Sequence, residues 1–381
     1  MGAVGGLSVG LAVLTAAVLM PGPASALGGT TYRWGAYWPN SAHPQHIQRA
    51  PRSVALSGVT AIAAGNSSDM ALAGGNVYVW GDNTDGVLGL GEGVSYERDA
   101  TEVPGLPTIV GIGETDNTDV AIDTTGAVWG WGEDVDGQLC QGNELEQWTP
   151  IRLRNLSDVT KTAGAGVHMM YLLGNGTLEE CGGNDSGSLG DGSHTNSARP
   201  VTVTGLPSPI VQITASENDS GVVLADGEVW VWGGNKFGQL GNGVGRGSDV
   251  PVQVHLPAPA VDLSLGGGNG QIAAQALVLL ADGTVWGWGS NQYGQLDDGT
   301  TTERGTPVEA AHMPGGVTQV WSGGQTSYVV DGSGTLWAWG DNSLGMVGNG
   351  SGYWEFLTPT RVMSGIQMVS ATADDAMAYG P

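Results

Sequence analysis

Acidic side chains recur at short turns that follow similar apolar runs along this chain of 381 residues. Carboxylates gathered on one face can bind a cationic partner, serve as an acid and base pair in glycoside hydrolysis, or simply keep a protein soluble. We expect the eight carboxylates at these turns to lie on one concave face. The predicted partner-binding residues are Asp69, Glu114, Asp116, Asp119, His168, Glu217, Asp219, Asn269, Gln325, Asp374 and Asp375.

Other patterns that would indicate chemistry are weak. The six histidines are scattered, and no nucleophile elbow, zinc-protease helix or phosphate-binding loop motif occurs. His43 and His46 are three residues apart, without a third metal ligand nearby. Two fragments resemble calcium loops, Asp82–Gly86 and Asp134–Gly137, but both lack the closing bidentate Glu and stand where other repeats have an Asn-x-x-Gly turn. The sequence therefore predicts no catalytic residue, no metal site and no cofactor.

Composition excludes several classes of protein. The chain has 67 glycines and 14 tryptophans, and its 37 acidic against 12 basic residues give a net charge of −25. A nucleic-acid binder needs a basic surface, so nucleic acid is not an expected partner. Two cysteines are too few for a disulfide-dense scaffold, and 40% hydrophobic residues are too many for a disordered acidic chain.

The N-terminus has the features of a secretory signal peptide. Residues 1–32 carry no Lys, Arg, Asp or Glu, and the apolar run Leu7–Met20 is followed by a Pro-Gly-Pro spacer and Ala24-Ser25-Ala26. We expect cleavage after Ala26, which leaves 27–381 as the mature domain. The apolar run is short for a membrane span, and a retained membrane anchor is the alternative. The protein is expected to be secreted, either free or associated with the cell surface.

A Trp-Gly tag recurs along the chain and defines an internal repeat. The tags follow one another at spacings of 46, 51, 50, 51, 56 and 51 residues, and Cys181 replaces Trp in the fourth copy. Two apolar runs and a turn such as Asp226-Gly227 precede each tag, and a fourth run follows it, which is typical of four short strands. We interpret the tag tryptophans as packing residues between repeats: Trp34, Trp80, Trp131, Trp232, Trp288 and Trp339.

The two ends of the chain complement each other. The first tag, Trp34, has no strand pair before it, whereas the last segment, Ile366–Tyr379, is a strand pair without a tag. Four-stranded units cannot bury both faces alone, so they must stack and close a ring. The sequence therefore predicts an all-β, seven-bladed propeller with four-stranded blades, whose closing blade is shared between the N- and C-termini. It is expected to be a monomer.

The cysteines break the repeat in adjacent blades. Cys181 takes the place of a tag Trp, and Cys140 stands where most repeats have Gly. In a secreted chain this pair favours a disulfide between blades, and two buried free thiols are the alternative.

The repeat resembles that of the regulator of chromosome condensation family. Trp232-Gly-Gly-Asn-Lys-Phe-Gly-Gln-Leu-Gly-Asn-Gly243 is nearly a full match to its motif, and the resemblance covers residues 30–380. It implies a seven-bladed propeller that serves mainly as a binding scaffold. More distantly, Ser57–Gly65 is similar to the repeat of secreted propellers that inhibit β-lactamases. Those inhibitors present aromatic side chains from loops where this chain has none.

The predicted function is non-catalytic binding of an extracellular protein or cell-envelope component through the acidic loop face, which would favour a basic partner. An inhibitor of a secreted enzyme and a hydrolase that uses carboxylates of the rim are the alternatives. The insertion at Gly266–Gln271 lengthens the same turn in the sixth repeat, so Asn269 is included among the binding residues.

Overall fold

The fold is a ring of small antiparallel sheets. The computed structural model describes residues 29–37, 46–66, 68–268 and 273–380. The predicted signal peptide (residues 1–26), His43 and Asn269 lie outside these ranges. Within the described residues, 28 strands form seven four-stranded sheets, which confirms the predicted propeller. A 3-10 turn, η1, spans Thr84–Gly86.

The strands are short and follow the repeat. They are β1 (Thr30–Tyr37), β2 (His46–Val54), β3 (Val59–Ala64), β4 (Ser68–Ala73), β5 (Asn76–Asp82), β6 (Tyr96–Glu102), β7 (Ile109–Glu114), β8 (Thr118–Asp123), β9 (Val128–Gly132), β10 (Gln147–Leu153), β11 (Val159–Ala165), β12 (His168–Leu173), β13 (Leu178–Gly182), β14 (Ser197–Thr202), β15 (Ile210–Ser216), β16 (Asp219–Leu224), β17 (Val229–Gly233), β18 (Ser248–Val254), β19 (Ala260–Gly268), β20 (Ala273–Leu280), β21 (Val285–Gly289), β22 (Arg304–Glu309), β23 (Val317–Ser322), β24 (Thr326–Asp331), β25 (Leu336–Asp341), β26 (Glu355–Met363), β27 (Met368–Ala371) and β28 (Asp375–Gly380).

Six blades are formed by consecutive strands. Blades 2 to 7 begin at β3, β7, β11, β15, β19 and β23, and each is a simple antiparallel meander from the inner to the outer strand. The inner strands contact one another around the ring, and β27 of blade 1 contacts β3 of blade 2. The core lies between blades. For example, Met70 and Val79 of blade 2 pack with Ile112 and Trp131 of blade 3.

Blade 1 is built from both ends of the chain, as predicted. Its strand order is β2-β1-β28-β27, so the C-terminal hairpin supplies the two inner strands and the N-terminal segment supplies the two outer ones. Strands β1 and β28 are antiparallel, with Thr30 opposite Gly380 and Gly35 opposite Asp375. Backbone hydrogen bonds between the two ends of the chain therefore close the ring.

The tag tryptophans join neighbouring blades. All six are at most 1% exposed. Five of their indole nitrogens donate to a backbone carbonyl of the preceding blade, such as Trp131 Nε1 to Val87 O at 2.8 Å and Trp34 Nε1 to Met346 O at 2.7 Å. Each of these five indoles therefore buries apolar surface and satisfies its own donor across the junction.

Blades 3 and 4 use a different link. Cys140 and Cys181 form the predicted disulfide, with their Cα atoms 5.7 Å apart. Gly89 and Gly190 occupy the position of Cys140 in other blades, with positive φ, and a Cβ there would lie 2.9 and 2.7 Å from the next tag indole. Cys140 also has φ of 57°. Its side chain occupies the space that the indole fills elsewhere, which accounts for the small residue at position 181.

The fragments that resemble calcium loops are turns. Asn83 Oδ1 accepts the Leu88 backbone N–H at 2.8 Å, and Asp134 Oδ1 accepts the equivalent N–H of Leu139 at 2.8 Å. The Asp82 carboxylate accepts the Thr84 backbone N–H at 2.8 Å. In the described ranges, no group of three or more His, Cys, Asp or Glu side chains is placed to hold a metal ion.

Candidate functional site

All seven inner strands end around one mouth of the central channel. We define the channel mouth as the cavity of about 120 Å³ at the turns that join the first and second strands of the blades. Its walls are mainly Ala, Gly, Ser and Thr. Glu114, Asp116 and Glu217 are the charged residues that line it, and no Lys or Arg does so among the described residues. The channel mouth therefore presents negative charge from a narrow wall of small side chains.

Three of the predicted acidic residues are partly exposed at this end of the molecule. Asp116, Glu217 and Asp374 belong to the first turns of blades 3, 5 and 1. Burial, together with the charges of Glu217, Glu133 and Asp374, raises the pKa of Asp116 to about 6. Burial also raises the pKa of Asp374. The turns thus bring Glu217 and Asp374 close enough to Asp116 for their charges to disfavour its ionisation.

The other predicted acidic residues lie deeper. Asp69, Glu114, Asp119, Asp219 and Asp375 are at most 7% exposed, and all but Glu114 stand at the start of a second strand. Burial raises the pKa of Asp219 to about 7 and that of Glu114 well above its ordinary value. The face is therefore acidic through a few carboxylates at the mouth, backed by carboxyl groups inside the blades.

Arg33 links two of the buried carboxylates. Its Nε lies 2.9 Å from Asp69 Oδ2 and donates to Asp375 Oδ2 at 2.7 Å. Burial raises the pKa of Asp69 and Asp375, whereas the Arg33 charge opposes that shift. Because Arg33 is on β1, Asp375 on β28 and Asp69 on β4, this ion pair holds both ends of the chain against blade 2.

His168 is also inside the fold. Its Nε2 lies 2.9 Å from Ser220 Oγ, which donates to Ser188 O at 2.9 Å and lies 3.3 Å from Glu180 Oε2. Burial lowers the pKa of His168 to about 4, so the ring is neutral near pH 7. His168, Ser220 and Glu180 are completely buried. A substrate cannot reach this Ser, His and Glu group in the folded state, so it connects blades 4 and 5 instead.

Two predicted residues of the face are not acidic. Gln325 is partly exposed in the first turn of blade 7, and its backbone carbonyl accepts the Asp341 backbone N–H at 3.0 Å. Asn269 lies in the insertion of blade 6, outside the described residues. The structure thus brings Asp116, Glu217, Gln325 and Asp374 to the same end of the ring, and keeps His168 and the deeper carboxylates inside it.

Trp321 is a residue of the channel mouth that the repeat pattern did not single out. It lines the cavity, is partly exposed, and donates its indole N–H to Ala371 O at 3.2 Å. Alignment of the first strands would have revealed it, because the equivalent residues are all small: Ala63, Gly113, Ala163, Thr214, Ser264 and Ser370. An indole beside carboxylates can receive a cationic group on its face.

Residues 30–378 match the family model described as an RCC1-like domain. The chain belongs to the RCC1-like domain family. It is 28% identical over 314 residues to the human E3 ubiquitin-protein ligase HERC2, a match that covers 77% of this chain but 6% of HERC2. It is 26% identical over 319 residues to the ultraviolet-B receptor UVR8 of Arabidopsis thaliana, which covers 80% of this chain and 69% of UVR8.

Solved RCC1-like structures have the same fold. Human WBSCR16 superposes with a TM-score of 0.79 at 19% identity, over 92% of this chain and 98% of that one. Saccharomyces cerevisiae Prp20p superposes with a TM-score of 0.81 at 21% identity, over 93% of this chain and 92% of its own. Across the described residues, none of the helical segments is long and apolar enough to cross a bilayer.

Proposed function

We propose that this RCC1-like protein is a secreted, non-catalytic propeller that binds an extracellular protein or cell-envelope component through the channel mouth. The observation that carries the proposal is that Asp116 and Glu217 of two blades line the channel mouth, that the charge of Asp374 from a third blade acts on Asp116, and that no Lys or Arg lines the mouth in the described part of the chain. Strand interiors are committed to packing between blades, so the turns at the rim are the surface available for a partner.

A basic partner fits this site best. The protein carries a net charge of −25, so a cationic surface would be attracted over a long distance and then held by the carboxylates at the mouth. Protein binding is also a use of this fold in similar proteins: one structure is described as Kap60 bound to yeast RCC1, and another reports the binding of Prp20p to Gsp1p and histones. Those partners belong to those proteins, and only the use of the fold supports the proposal here.

The test is affinity capture from secreted and cell-envelope fractions, with the wild type beside two charge-matched double variants. The first, Asp116→Asn with Glu217→Gln, removes the two partly exposed carboxylates that line the channel mouth. The second, Glu102→Gln with Glu309→Gln, neutralises two exposed carboxylates at the far ends of outer strands. We expect the first variant to lose the captured partner and the second to keep it.

Salt provides the second arm of this test. Raising the ionic strength from about 0.05 M to about 0.5 M shortens the screening length severalfold, so capture by the wild type should fall steeply. Capture that is insensitive to salt, or that both double variants lose equally, would contradict an electrostatic site at the channel mouth.

Secretion is tested separately. When the full chain is produced in a bacterium with a general secretory pathway, the exported protein should begin at Leu27 on N-terminal sequencing. An unprocessed chain that remains with the membrane would indicate an anchor instead of a signal peptide. This result is independent of the binding test.

A further inference from the structure

A second cavity lies between the outer strands of blades 1 and 2 and has the opposite charge. Its volume is about 160 Å³, and it shares no lining residue with the channel mouth. Arg33 of β1, Arg52 of β2 and Arg98 of β6 all line it. Three of the ten arginines of a chain with net charge −25 therefore converge on one cleft. We refer to it as the arginine cleft.

The backbone forces two of these arginines together. Arg33 and Arg52 are directly opposite each other in the antiparallel pair β1 and β2, so their side chains leave the same side of the sheet. Like charges directly opposite on neighbouring strands destabilise a sheet unless a counter-charge is near. Arg33 has its partners in Asp69 and Asp375, behind the cleft. Arg52 and Arg98 are exposed, and neither forms an ion pair within the ranges that the structure describes.

The rest of the wall is largely aromatic. Trp34 and Trp80 are buried and line the cleft together with Tyr96. Trp80 is also the tag whose indole nitrogen lacks the carbonyl acceptor that the five other tags have, among the described residues. Asp99 is the acidic side chain that lines the cleft. Because Arg33 is paired with Asp69 and Asp375, the exposed part of the wall carries two guanidinium groups, those of Arg52 and Arg98, against the one carboxylate of Asp99.

These features specify the ligand by its chemistry. Guanidinium groups bind carboxylates and phosphates through paired hydrogen bonds, and they do so best where water is partly excluded. The partly exposed ring of Tyr96, with the buried indoles of Trp34 and Trp80 behind it, provides flat apolar surface for a planar ligand. We propose that the arginine cleft binds a small organic anion with a planar apolar body, of the class of aromatic carboxylates. This site is independent of the proposed function, because it differs from the channel mouth in its location, in the sign of its charge and in the kind of ligand it binds.

Calorimetric titration with benzoate tests the proposal, with benzyl alcohol and inorganic phosphate as comparison probes. Benzyl alcohol retains the ring without the charge, and phosphate retains an anion without the ring. We expect saturable binding of benzoate. Each comparison probe should bind at least about tenfold more weakly, since a hydrogen bond to a charged group contributes on the order of tenfold in affinity. Phosphate that binds as well as benzoate would overturn the planar part of the proposal.

Variants locate the site. Arg52→Gln and Arg98→Gln should each weaken benzoate binding about tenfold, because each removes one guanidinium contact. Arg199→Gln changes an exposed arginine on the outer strand of blade 4 and should leave binding unchanged. Arg33 is not substituted, since it also holds Asp69 and Asp375. The absence of saturable binding at millimolar benzoate, or equal affinities for the three variants and the wild type, would overturn the proposal.

Discussion

Asp219 shows how a single buried carboxyl group couples this fold to pH. It is 3% exposed, and its Oδ2 accepts a hydrogen bond from Ser216 Oγ at 2.9 Å. Burial raises its pKa to about 7, whereas an unfolded chain holds an Asp near a pKa of about 3.9. Between those values the folded state binds more protons than the unfolded state. The stabilisation from this group is therefore complete below about pH 4 and is lost as the pH rises through 7.

We predict that thermal stability falls between about pH 4 and pH 7, and that Asp219→Asn flattens this dependence because an amide does not titrate there. The measurement is the midpoint of thermal unfolding as a function of pH. Asp116, Asp134 and Asp262 also have raised pKa values, so part of the dependence remains in the variant. Glu102→Gln, on an exposed outer strand, is the control and should leave the slope unchanged. An identical slope in Asp219→Asn and the wild type would contradict this role for Asp219.

Sequence reasoning placed these residues at the right end of each blade but could not give their depth. The repeat register placed Asp69, Asp119 and Asp219 in the turns that join first and second strands, and the structure has them at the start of the second strands, directly after those turns. It does not say that neighbouring blades cover them, because burial depends on side chains about 50 residues away in the chain. Glu114 is an example: a Cβ on Gly65 would lie 1.8 Å from its Oε1, so a glycine of another blade makes room for it.

At the scale of elements, the junction between blades 3 and 4 replaces an indole with a disulfide. The link encloses a loop of 41 residues, and cross-links of that length stabilise a fold by roughly 2–4 kcal/mol. Cys140 also occupies the position where an indole covers Gly in other junctions. The effects of the two cysteines on stability are thus coupled, and replacing one alone should leave the junction less stable than replacing both.

We predict that Cys181→Trp alone is less stable than the double variant Cys140→Gly with Cys181→Trp, because only the double variant has room for the indole. Unfolding in urea measures both, and a count of free thiols with and without reductant verifies the disulfide in the wild type. The expected difference in stability between the two variants is limited, because blade 6 has Asp297 at the position of this glycine and the tag Trp339 of the next blade is still buried. Equal stability of the two variants would show that the cysteines are not coupled.

The strands themselves were predictable because their signals are local. Asp-Gly turns, alternation of apolar residues and the Trp-Gly tag each act over a few residues, and together they determine the blades. The arginine cleft was not predictable in this way. Arg33, Arg52 and Arg98 occupy unrelated positions in the repeat, and only the pairing of β1 with β2 and the packing of blade 2 against them bring the three together.

At the scale of the whole molecule, stability depends on how the ring is closed. Strand β1 lies between β28 and β2, so the first and last segments of the chain share one sheet. Such a closure acts as a cross-link between distant parts of the chain, because neither end of the chain can detach from blade 1 without breaking a full strand pair. The position of the termini, and not the number of blades, should therefore determine resistance to unfolding.

Two circular permutants isolate this effect. Thr30 is opposite Gly380, so an Asn-Gly turn can join these residues in both permutants. Opening the chain between Asp226 and Gly227 leaves blade 5 shared by the new termini, whereas opening it between Leu256 and Pro257 leaves every blade made from continuous chain. We predict that the second permutant is less stable, by roughly 2–4 kcal/mol if the shared blade acts as a cross-link. Unfolding in urea compares proteins of identical composition and linker, so equal midpoints would mean that packing between blades alone closes the ring.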